Sequence, residues 1–555
     1  MSSTQNDDSM RWMYTLFAVF AILWLVTLGT RALLNPDEGR YAEIPREMVV
    51  SGDWLTPRLN DLKYFEKPVL QYWATAAAYE AFGINEFASR FWCGFTGLLG
   101  VLFAGWAGSR LFGRSAGLMT AALLGCSLIW VILGHLNTLD MSLSFFLEVS
   151  ILAFLLAQQA PLGSKTERNW MLTAWGAAAL ACLTKGLEAV VLPSLTLVVY
   201  TIVEREFSAW RRLHIVAGLP LFLAIAAPWF VAVSIANPEF AHFFFIHEHF
   251  ERFLTDVHER VEPWWYFLPL LAVGALPWIS LAIQSVRSQW RTDLREPLTA
   301  GFRPRRFLLL WVASIVMFFS ASHSKLAPYI LPVAPALALV TADFIAHTAT
   351  ATLRKHIVFI GAIWMAALLY LLFGPLPTKR DTPPELFATL FQWARAGAAM
   401  ALLGAGIAWW LNQRNRARDA VIAVCLGTFF GLSVLLVGFD AARQVRSGYD
   451  LAQTIKPYND TSKPFYSIND YDQTLPFYLG RTMTLVGYRG ELDFGLTQEP
   501  AKGLPDATAF ANKWLTDPAG SLAVMTHETY RLLTEQQVPM TAIGRNIDLI
   551  AVIKP

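Results

Sequence analysis

Acidic and basic residues gather in one stretch of an otherwise apolar chain, NPDEGRYAEIPREMVVSGDWLTPRLNDLKYFEKPVLQYW, residues 35–73. In the segments PDEGRY and FEKP, prolines hold opposite charges close to the end of an apolar run. Three more charges, Asp140, Lys185 and Lys325, lie at or inside the ends of other apolar runs, in gaps too short for solvated loops. Ionisable groups at such a depth are costly to bury, which makes them candidates for a functional site.

These residue types could together transfer a group to or from a phosphate. A phosphate that departs or attacks needs cationic donors close to it, and Arg offers bidentate geometry where Lys offers a point charge. The available cationic side chains are Lys67, Lys185, Arg252 and Lys325. A carboxylate beside them could act as a base or bind an amine or hydroxyl of a substrate, and Asp37 and Asp140 are the best placed. The pattern alone does not specify the reaction.

A simpler alternative is that single charges in the same stretch belong to solvated loops, the usual place for a charged side chain. We favour this alternative for Glu43, Arg46 and Lys63. It explains less well the opposite charges that prolines hold together in PDEGRY and FEKP.

The composition places these charges in a membrane protein. Hydrophobic residues make up 55% of the 555 residues and charged residues 15%, whereas a soluble domain carries about 25% charged residues. Several apolar runs exceed the roughly 18 residues that mark a membrane-spanning helix. About thirteen spans are predicted, at 12–34, 86–109, 115–133, 137–158, 169–184, 187–204, 213–235, 263–285, 306–321, 327–348, 355–374, 386–411 and 418–438. The net charge of +2 gives no support to a nucleic-acid partner, because such partners select strongly basic surfaces.

Lys and Arg in the short loops set the orientation of these spans. With the N-terminus in the cytoplasm, the basic loops all fall on the inside, at 110–114, 163–170, 204–214, 286–306, 353–356 and 411–419. Two outside loops, 35–85 and 236–262, are charged as well and break the pattern. Trp and Tyr among apolar residues of the first loop predict helices in the membrane interface, which would roof an outside cavity.

The C-terminal segment has a different pattern. We divide the chain into a membrane domain, residues 1–439, and an outside domain, residues 440–555. In the outside domain, the runs KPFYSI, MTLVGY, LAVMTH and IDLIAVIK predict strands, and DATAFANKWLT and ETYRLLTEQQ predict helices, so the fold expected is a small α/β domain. The four cysteines of the chain lie in apolar runs without paired spacing, which predicts buried thiols instead of a disulfide or metal framework.

Four segments carry a resemblance to a known family. They are residues 35–73, NTLDMSLSFF (137–146), LTKGLEAVVLP (183–193) and FSASHSKLAPYILPVAPALALV (319–340). In sequence and order they resemble the bacterial aminoarabinose lipid A transferases, which belong to the protein O-mannosyltransferase-like, GT-C class of membrane glycosyltransferases. The resemblance implies a polytopic α-helical fold of GT-C type, with interfacial helices in its periplasmic loops and a periplasmic C-terminal domain.

The resemblance also implies a reaction. The donor would be undecaprenyl phosphate carrying 4-amino-4-deoxy-L-arabinose, presented at the periplasmic face of the bacterial inner membrane. The acceptor would be a phosphate of lipid A in lipopolysaccharide, and the transfer would invert the anomeric centre. The cationic sugar would mask negative charge and so lower the affinity for polymyxin and other cationic peptides.

The site residues carried over by the resemblance come from both outside loops and from the ends of spans. Asp37 would be the catalytic or substrate-positioning carboxylate and Asp140 a second acid. The substrate-binding residues would be Arg40, Tyr41, Tyr64, Lys67, Lys185, Arg252, Lys325 and Tyr329. Because a phosphate acceptor is already anionic near pH 7, Asp37 is expected to act electrostatically more than by removing a proton.

A histidine-rich segment, FIHEHFERF (245–253), raises the question of a metal. Its histidines and Glu248, with Glu66 of the first loop, could ligate a divalent cation such as zinc, and Glu66 and His247 are the ligands we would name. The alternative is that these histidines lie in the membrane interface and bond to neighbouring groups. A lipid-monophosphate donor requires no cofactor, so a metal here would organise the loop more than drive the chemistry.

Two other functions remain open from the sequence. A lipid or sugar transporter has a similar number of spans, but it usually shows paired halves with broken helices, and no internal repeat is visible here. A different GT-C enzyme, with another polyprenyl-phosphate sugar or a protein acceptor, is a closer alternative because the loop motifs do not fix the sugar.

Overall fold

The computed structural model describes residues 15–251, 262–295, 302–377 and 382–555. Up to residue 438 the described residues are helical almost throughout. In chain order the helices are α1 (Thr15–Gly29), α2 (Asp37–Ser51), α3 (Leu70–Phe82), α4 (Glu86–Phe112), α5 (Arg114–Gly125), α6 (Leu128–Gly134), α7 (Leu139–Gln159), α8 (Lys165–Lys185), α9 (Glu188–Glu204), α10 (Ser208–Arg211), α11 (Ile215–Ala236), α12 (His242–Glu251, with π-helical turns), α13 (Phe267–Gly274), α14 (Ile279–Arg295), α15 (Pro304–Ala321), α16 (Ala334–Ala346), α17 (Thr350–Phe373), α18 (Pro384–Gln413) and α19 (Ala417–Gly438). A short antiparallel ribbon, β1 (Arg58–Leu59) with β2 (Leu62–Lys63), lies in the first outside loop.

Every predicted apolar segment coincides with one of these helices or with a bent pair. Within the described residues, eight helices are long and apolar enough to cross a membrane, and the pairs α5–α6 and α13–α14 are bent by 60° and 106°. Eight to ten candidate spans therefore stand against about thirteen predicted. The difference lies in α1, of which 15 residues are described, in α9, which has 17 residues, and in α8, which carries polar residues at both ends.

Large apolar side chains point outward from the helices. Val216 and Ile235 of α11 are 93% and 77% exposed, and Ile202 of α9 and Phe373 of α17 are 70% and 82% exposed. Water would penalise so much exposed apolar surface, whereas lipid tails would cover it. With the long apolar helices, this surface identifies a multi-pass membrane protein.

A glycine turn places one site residue at the end of a span. Helix α8 is capped by Ser164, whose side chain accepts a hydrogen bond from the Glu167 amide at 3.1 Å, and it ends before Gly186. Gly186 has φ +96°, in the left-handed region, where glycine is favoured. The chain reverses there into α9, so that Lys185 is held at the tip of the α8–α9 hairpin.

Beyond α19 the chain forms a mixed sheet. Its strands are β3 (Phe465–Ile468), β4 (Thr484–Val486), β5 (Gly503–Leu504), β6 (Leu522–Thr526), β7 (Thr541–Arg545) and β8 (Leu549–Ile553). They lie in the order β5-β4-β3-β6-β8-β7, with β3, β4, β5 and β6 parallel and β8 antiparallel to β6 and β7. The helices are α20 (Arg443–Arg446), α21 (Tyr449–Ile455), α22 (Leu475–Leu479), α23 (Asp493–Gln498), α24 (Ala507–Thr516) and α25 (His527–Glu535). The predicted α/β class, four strands and two helices are confirmed, whereas β5, β7 and the short helices α20, α21, α22 and α23 were not predicted.

The sheet domain sits directly on the first outside loop. A Cβ atom on Gly39 of α2 would lie 2.6 Å from the backbone of Gln473, so the close approach requires glycine. The side chain of Asn60, between β1 and β2, donates to the carbonyl of Met483 and accepts from its amide, each at 2.7 Å. These contacts join the loop and the sheet domain into one wall.

Most of α2 is buried. Glu43 and Arg46 lie about one helical turn apart, and the Arg46 guanidinium donates two hydrogen bonds to the Glu43 carboxylate at 2.6 and 2.5 Å. The expectation that these two charges are solvated is wrong. Both side chains are buried, and each is paired with the other instead of with water. Lys63 stays partly exposed and pairs with Glu239 at 2.5 Å.

Candidate functional site

A cleft of about 1220 Å³ opens where the first outside loop, the ends of several helices and the sheet domain meet. Helix α2 forms one wall, and the start of α7, the tip of the α8–α9 hairpin and residues 326–329 form the opposite part. A turn of the sheet domain, Gly490–Leu492, contributes Gly490 and Glu491. Both charged and apolar side chains line the cleft.

Asp37 occupies the first turn of α2 and lines the cleft. Its side chain is 55% exposed, and among the described residues a single ion pair reaches it, from Nη1 of Arg40 at 3.6 Å. That distance is longer than a hydrogen bond. The Asp37 carboxylate is therefore available to a ligand in the cleft.

Asp140 and Lys185 form a tight ion pair across the cleft lining. The Lys185 Nζ donates to Oδ1 of Asp140 at 2.6 Å and lies 3.8 Å from Oε2 of Glu188. The ammonium also stands 4.6 Å from the centre of the Tyr329 ring, within the range of a cation–π interaction. These three neighbours fix the position of a positive charge that is almost fully buried.

Lys67 brings a second positive charge, from the loop between β2 and α3. Its ammonium donates to the Glu66 carbonyl at 2.8 Å and to Oε2 of Glu248 at 3.3 Å. Glu66 and Lys67 both line the cleft. The link to Glu248 ties the first outside loop to α12 of the second.

Arg40 and Tyr41 stand on the α2 wall. The Arg40 guanidinium forms an ion pair with Glu491 of the sheet domain, while its Nε has no hydrogen-bond partner in the described part of the chain. Burial raises the pKa of Tyr41 well above its ordinary value. The Tyr41 hydroxyl therefore stays protonated and can donate to a ligand.

A buried network beneath the cleft was not predicted. Glu38 is 2% exposed, and its carboxylate accepts hydrogen bonds from Arg31 Nη1 and Arg90 Nε, both at 2.7 Å, and from the Asn137 amide at 3.0 Å. Burial alone would raise the pKa of Glu38, but the two guanidiniums outweigh it and hold the pKa far below its ordinary value. The network fixes the first turn of α2, next to Asp37.

The structure does not bring all the predicted residues to the cleft lining. Tyr64 is buried, and its hydroxyl has no partner among the described residues. Lys325 donates to the carbonyls of Glu262 and Ser322 at 2.8 and 2.6 Å. Arg252 lies outside the described residues.

A second cleft, of about 1420 Å³, adjoins the first and shares Glu66, Gly490 and Glu491 with it. The proposed metal ligands Glu66 and His247 line this second cleft together with His242. In the described ranges, however, no group of three or more His, Cys, Asp and Glu side chains is placed to hold a metal ion. Glu248 faces Lys67 instead.

Glu491 is the site residue that the sequence did not reveal. It lies in GYRGELDFG, a turn-rich segment with no recognisable motif, about 450 residues after Arg40 along the chain. It reaches the cleft because the sheet domain packs against the first outside loop. The one available signal was a charged turn in a domain predicted to lie outside the membrane.

The assembled cleft suits group transfer at a phosphate. Lys67 and Lys185 offer two fixed positive charges, and Asp37 offers an accessible carboxylate. The lysines can stabilise a phosphate as it leaves or enters, and the carboxylate can stabilise positive charge that develops on the group in transit.

Comparisons with known proteins place the whole chain among membrane glycosyltransferases. A family model of the aminoarabinose transferase C-terminal domain matches residues 451–554, and a model of dolichyl-phosphate-mannose-protein mannosyltransferases matches residues 9–244. The chain is 32% identical to the undecaprenyl phosphate-alpha-4-amino-4-deoxy-L-arabinose arabinosyl transferase of Erwinia tasmaniensis, over 90% of each chain. It is 35% identical to the protein of the same name from Pectobacterium carotovorum, over 93% of this chain and 94% of that one.

Solved structures agree with these matches. Crystal structures of ArnT from Cupriavidus metallidurans, in the apo state and bound to undecaprenyl phosphate, superpose with a TM-score of 0.91. They are 36% identical to this chain and cover 98% of both chains. The archaeal oligosaccharyltransferase AglB from Archaeoglobus fulgidus shares the fold, with a TM-score of 0.50 at 12% identity over 94% of this chain and 70% of that one.

Proposed function

The chain belongs to the family of undecaprenyl phosphate-aminoarabinose arabinosyl transferases, and we propose that it transfers 4-amino-4-deoxy-L-arabinose from undecaprenyl phosphate to a phosphate of lipid A. The observation that carries the proposal is the match, over 98% of both chains, to an ArnT structure that holds undecaprenyl phosphate. The cleft with Asp37, Lys67 and Lys185 lies at the outer end of the helices, where the phosphate of such a lipid would lie.

In the proposed reaction, the bond from the anomeric carbon to the donor phosphate oxygen breaks and a bond to an acceptor phosphate oxygen forms. Lys67 and Lys185 stabilise the undecaprenyl phosphate as it leaves with the bonding electrons. Asp140 keeps Lys185 in place through its 2.6 Å ion pair. The acceptor phosphate is already anionic, so the reaction needs no general base, and attack opposite to the leaving group inverts the anomeric centre.

Asp37 acts on the sugar in this scheme. As the anomeric carbon loses its phosphate, positive charge develops there and on the ring oxygen, as in other glycosyl transfers. A carboxylate fixed at this place stabilises that charge more than it stabilises the ground state. The product is a lipid A that carries an ammonium group, which weakens its attraction for polymyxin and other cationic peptides.

We place the cleft and the sheet domain on the periplasmic side of the inner membrane. A single cysteine in place of exposed Lys513 should react with a membrane-impermeant thiol reagent in cells with a permeabilised outer membrane. A cysteine in place of exposed Asn415, in the basic α18–α19 loop, should not react. The four native cysteines are buried, so they give little background. Labelling of the Asn415 variant alone would reverse the orientation.

The transfer is proposed to need no metal. Lys67 and Lys185 already supply the positive charge that a divalent cation supplies to nucleotide-sugar donors. Transfer by the purified enzyme should therefore proceed unchanged in EDTA. A loss of activity in EDTA that zinc restores would instead assign a cation to Glu66 and the neighbouring histidines.

The function is tested by producing the chain in a bacterium that makes the lipid-linked sugar but lacks its own aminoarabinose transferase. Mass spectra of lipid A should show added aminoarabinose, and resistance to polymyxin should rise. With the protein and the donor both present, unmodified lipid A would contradict the proposal. A sugar found on proteins instead would favour the protein acceptor that the mannosyltransferase match suggests.

A further inference from the structure

An apolar cavity lies between α7, α8, α9 and α11, apart from the two clefts. Its volume is about 940 Å³, within the range of roughly 300–1,000 Å³ that is usual for ligand sites. Among the described residues that line it, two carry hydroxyl groups, and one of them, Ser150, donates to the Ala174 carbonyl at 3.0 Å. The indole of Trp175 is also used, since its Nε1 donates to the Leu213 carbonyl at 2.8 Å. Because a water molecule needs several polar partners, this cavity suits an apolar group instead.

The cavity opens toward the lipid-facing side of the helices. Val190 on α9 and Ile215 on α11 both line it and are exposed. Ile202 and Val216, further residues of the same two helices, are exposed as well. Since lipid tails cover apolar surface of this kind in a membrane protein, the acyl chain of a membrane lipid is the apolar group that meets this opening.

The loop that joins α9 to α11, residues 205–214, lies at the end of the helices opposite to the first cleft. Its Arg212 donates to the carbonyl of Ala160, at the end of α7, at 3.0 Å. The start of α7 lines the cleft, and a helix of 21 residues is about 30 Å long. The same loop reaches the cavity, because Trp210 and Leu213 line it. A lipid whose head group binds this loop is therefore separate from the substrates of the cleft.

Two arginines of this loop carry positive charge that the protein does not balance. Arg205 and Arg211 are exposed, and within the described ranges neither side chain has an ion pair or a hydrogen bond. The two glutamates beside them have other partners. Glu204 pairs with two arginines near the start of α15, and Glu206 accepts from the Ser208 amide at 2.7 Å. The loop at the cavity is thus positively charged and would attract an anionic head group.

We propose that this cavity binds an anionic phospholipid, with one acyl chain between α8, α9 and α11 and the phosphate at Arg205 and Arg211. Arginine suits this role because its planar fork of donors matches a phosphate. Trp210, which lines the cavity and is exposed, has the amphipathic ring of residues that lie at the level of lipid head groups. The bound chain fills space beside the α8–α9 hairpin, whose tip carries Lys185, and so stabilises the hairpin. This phospholipid is a structural ligand, distinct from the donor and the acceptor.

The test is native mass spectrometry of the purified protein with phosphatidylglycerol or phosphatidylcholine that carry the same acyl chains. One molecule of phosphatidylglycerol should bind, about 30-fold more tightly than phosphatidylcholine, since each of the two arginines near the head group contributes about fivefold. The double variant Arg205→Gln/Arg211→Gln should lose this preference, and Arg211→Gln alone should reduce it about fivefold. Because both side chains are exposed, these changes should leave the fold intact.

Changes inside the cavity test the place of the acyl chain. Ala178 of α8 and Ser194 of α9 line the cavity, and Ala178→Phe or Ser194→Phe would fill part of it. Each variant should bind both phospholipids at least about 10-fold more weakly, because each CH₂ group kept out of an apolar site costs about fourfold. The Tm measured without added lipid should not fall. Unchanged lipid binding in both variants would contradict the proposal.

Arg287→Gln/Arg291→Gln is the matched control. Arg287 and Arg291 are two exposed arginines on α14, but they do not line the cavity. This variant should keep the preference for phosphatidylglycerol within about twofold of wild type, as for surface changes in general. Three results would overturn the inference: equal affinity of the wild type for both phospholipids, equal effects of the two double variants, or displacement of phosphatidylglycerol by undecaprenyl phosphate. None of these measurements uses a donor sugar, so their outcome is independent of the proposed function.

Discussion

Replacing Asp37 by asparagine is expected to lower aminoarabinose transfer about 100- to 1000-fold, the cost of removing one fixed electrostatic contact from a transition state. The substitution keeps the shape of the side chain and removes its charge. Because Asp37 is 55% exposed and only weakly paired, with Arg40 at 3.6 Å, the fold depends little on it. The loss should therefore appear in kcat, measured with purified lipid donor and lipid A, at unchanged protein yield and Tm.

Glu86→Gln controls for the position of Asp37 at a helix start. Glu86 is the acidic residue in the first turn of α4, as Asp37 is in α2, but it does not line the cleft. Its neutral variant should transfer sugar at close to the wild-type rate. An Asp37→Asn protein that folds and keeps kcat within a few-fold of wild type would remove Asp37 from the reaction.

Replacing Glu38 by glutamine is expected to destabilise the protein by about 3–5 kcal/mol, the cost of breaking a buried ion pair from one side. Arg31 and Arg90 are 4% and 0% exposed, and the substitution leaves both guanidiniums without their common carboxylate. The measurement is the Tm of purified protein in detergent, which should fall clearly. Transfer should weaken as well, because the network holds the first turn of α2.

Asp419→Asn provides the comparison for this effect. Asp419 pairs with Arg416 at 2.6 Å, as short a contact as those of Glu38, but the two side chains are 41% and 59% exposed. Exposed pairs contribute about 0–1 kcal/mol, so its Tm should barely move. A Tm of Glu38→Gln equal to that of Asp419→Asn would show that the buried network does not hold the fold together.

The sequence predicted well those features that depend on local pattern. Each apolar run became a helix or a bent pair, and the strands at Phe465–Ile468 and Leu549–Ile553 followed from runs of alternating and β-branched residues. The break between α13 and α14 was also visible in principle, since Pro277 follows Leu276 between them. Proline commonly ends a helix in this way.

Contacts between residues that lie far apart in the sequence could not be predicted. Glu43 and Arg46 had the spacing of a helical ion pair, but their burial depends on the sheet domain that covers α2. The sequence predicted that Lys325 is an ionisable group buried at the end of a span and available to a substrate. In the structure its ammonium donates to two backbone carbonyls. Glu491 lies in a charged turn without a recognisable motif, and its place at the cleft depends on the contact with Arg40, far away in the sequence.

The seating of the sheet domain has a consequence for hybrid enzymes. Gly39 against Gln473, Asn60 against Met483 and Arg40 against Glu491 all join the two ends of the chain. A chimera that takes its C-terminal domain from a relative would receive a wall of the cleft along with it, and that wall must match the loop it meets. Recombination that takes both ends of the chain from the same relative keeps these contacts. A single crossover between the two ends combines a loop and a domain from different proteins and so disrupts the contacts between the walls of the cleft.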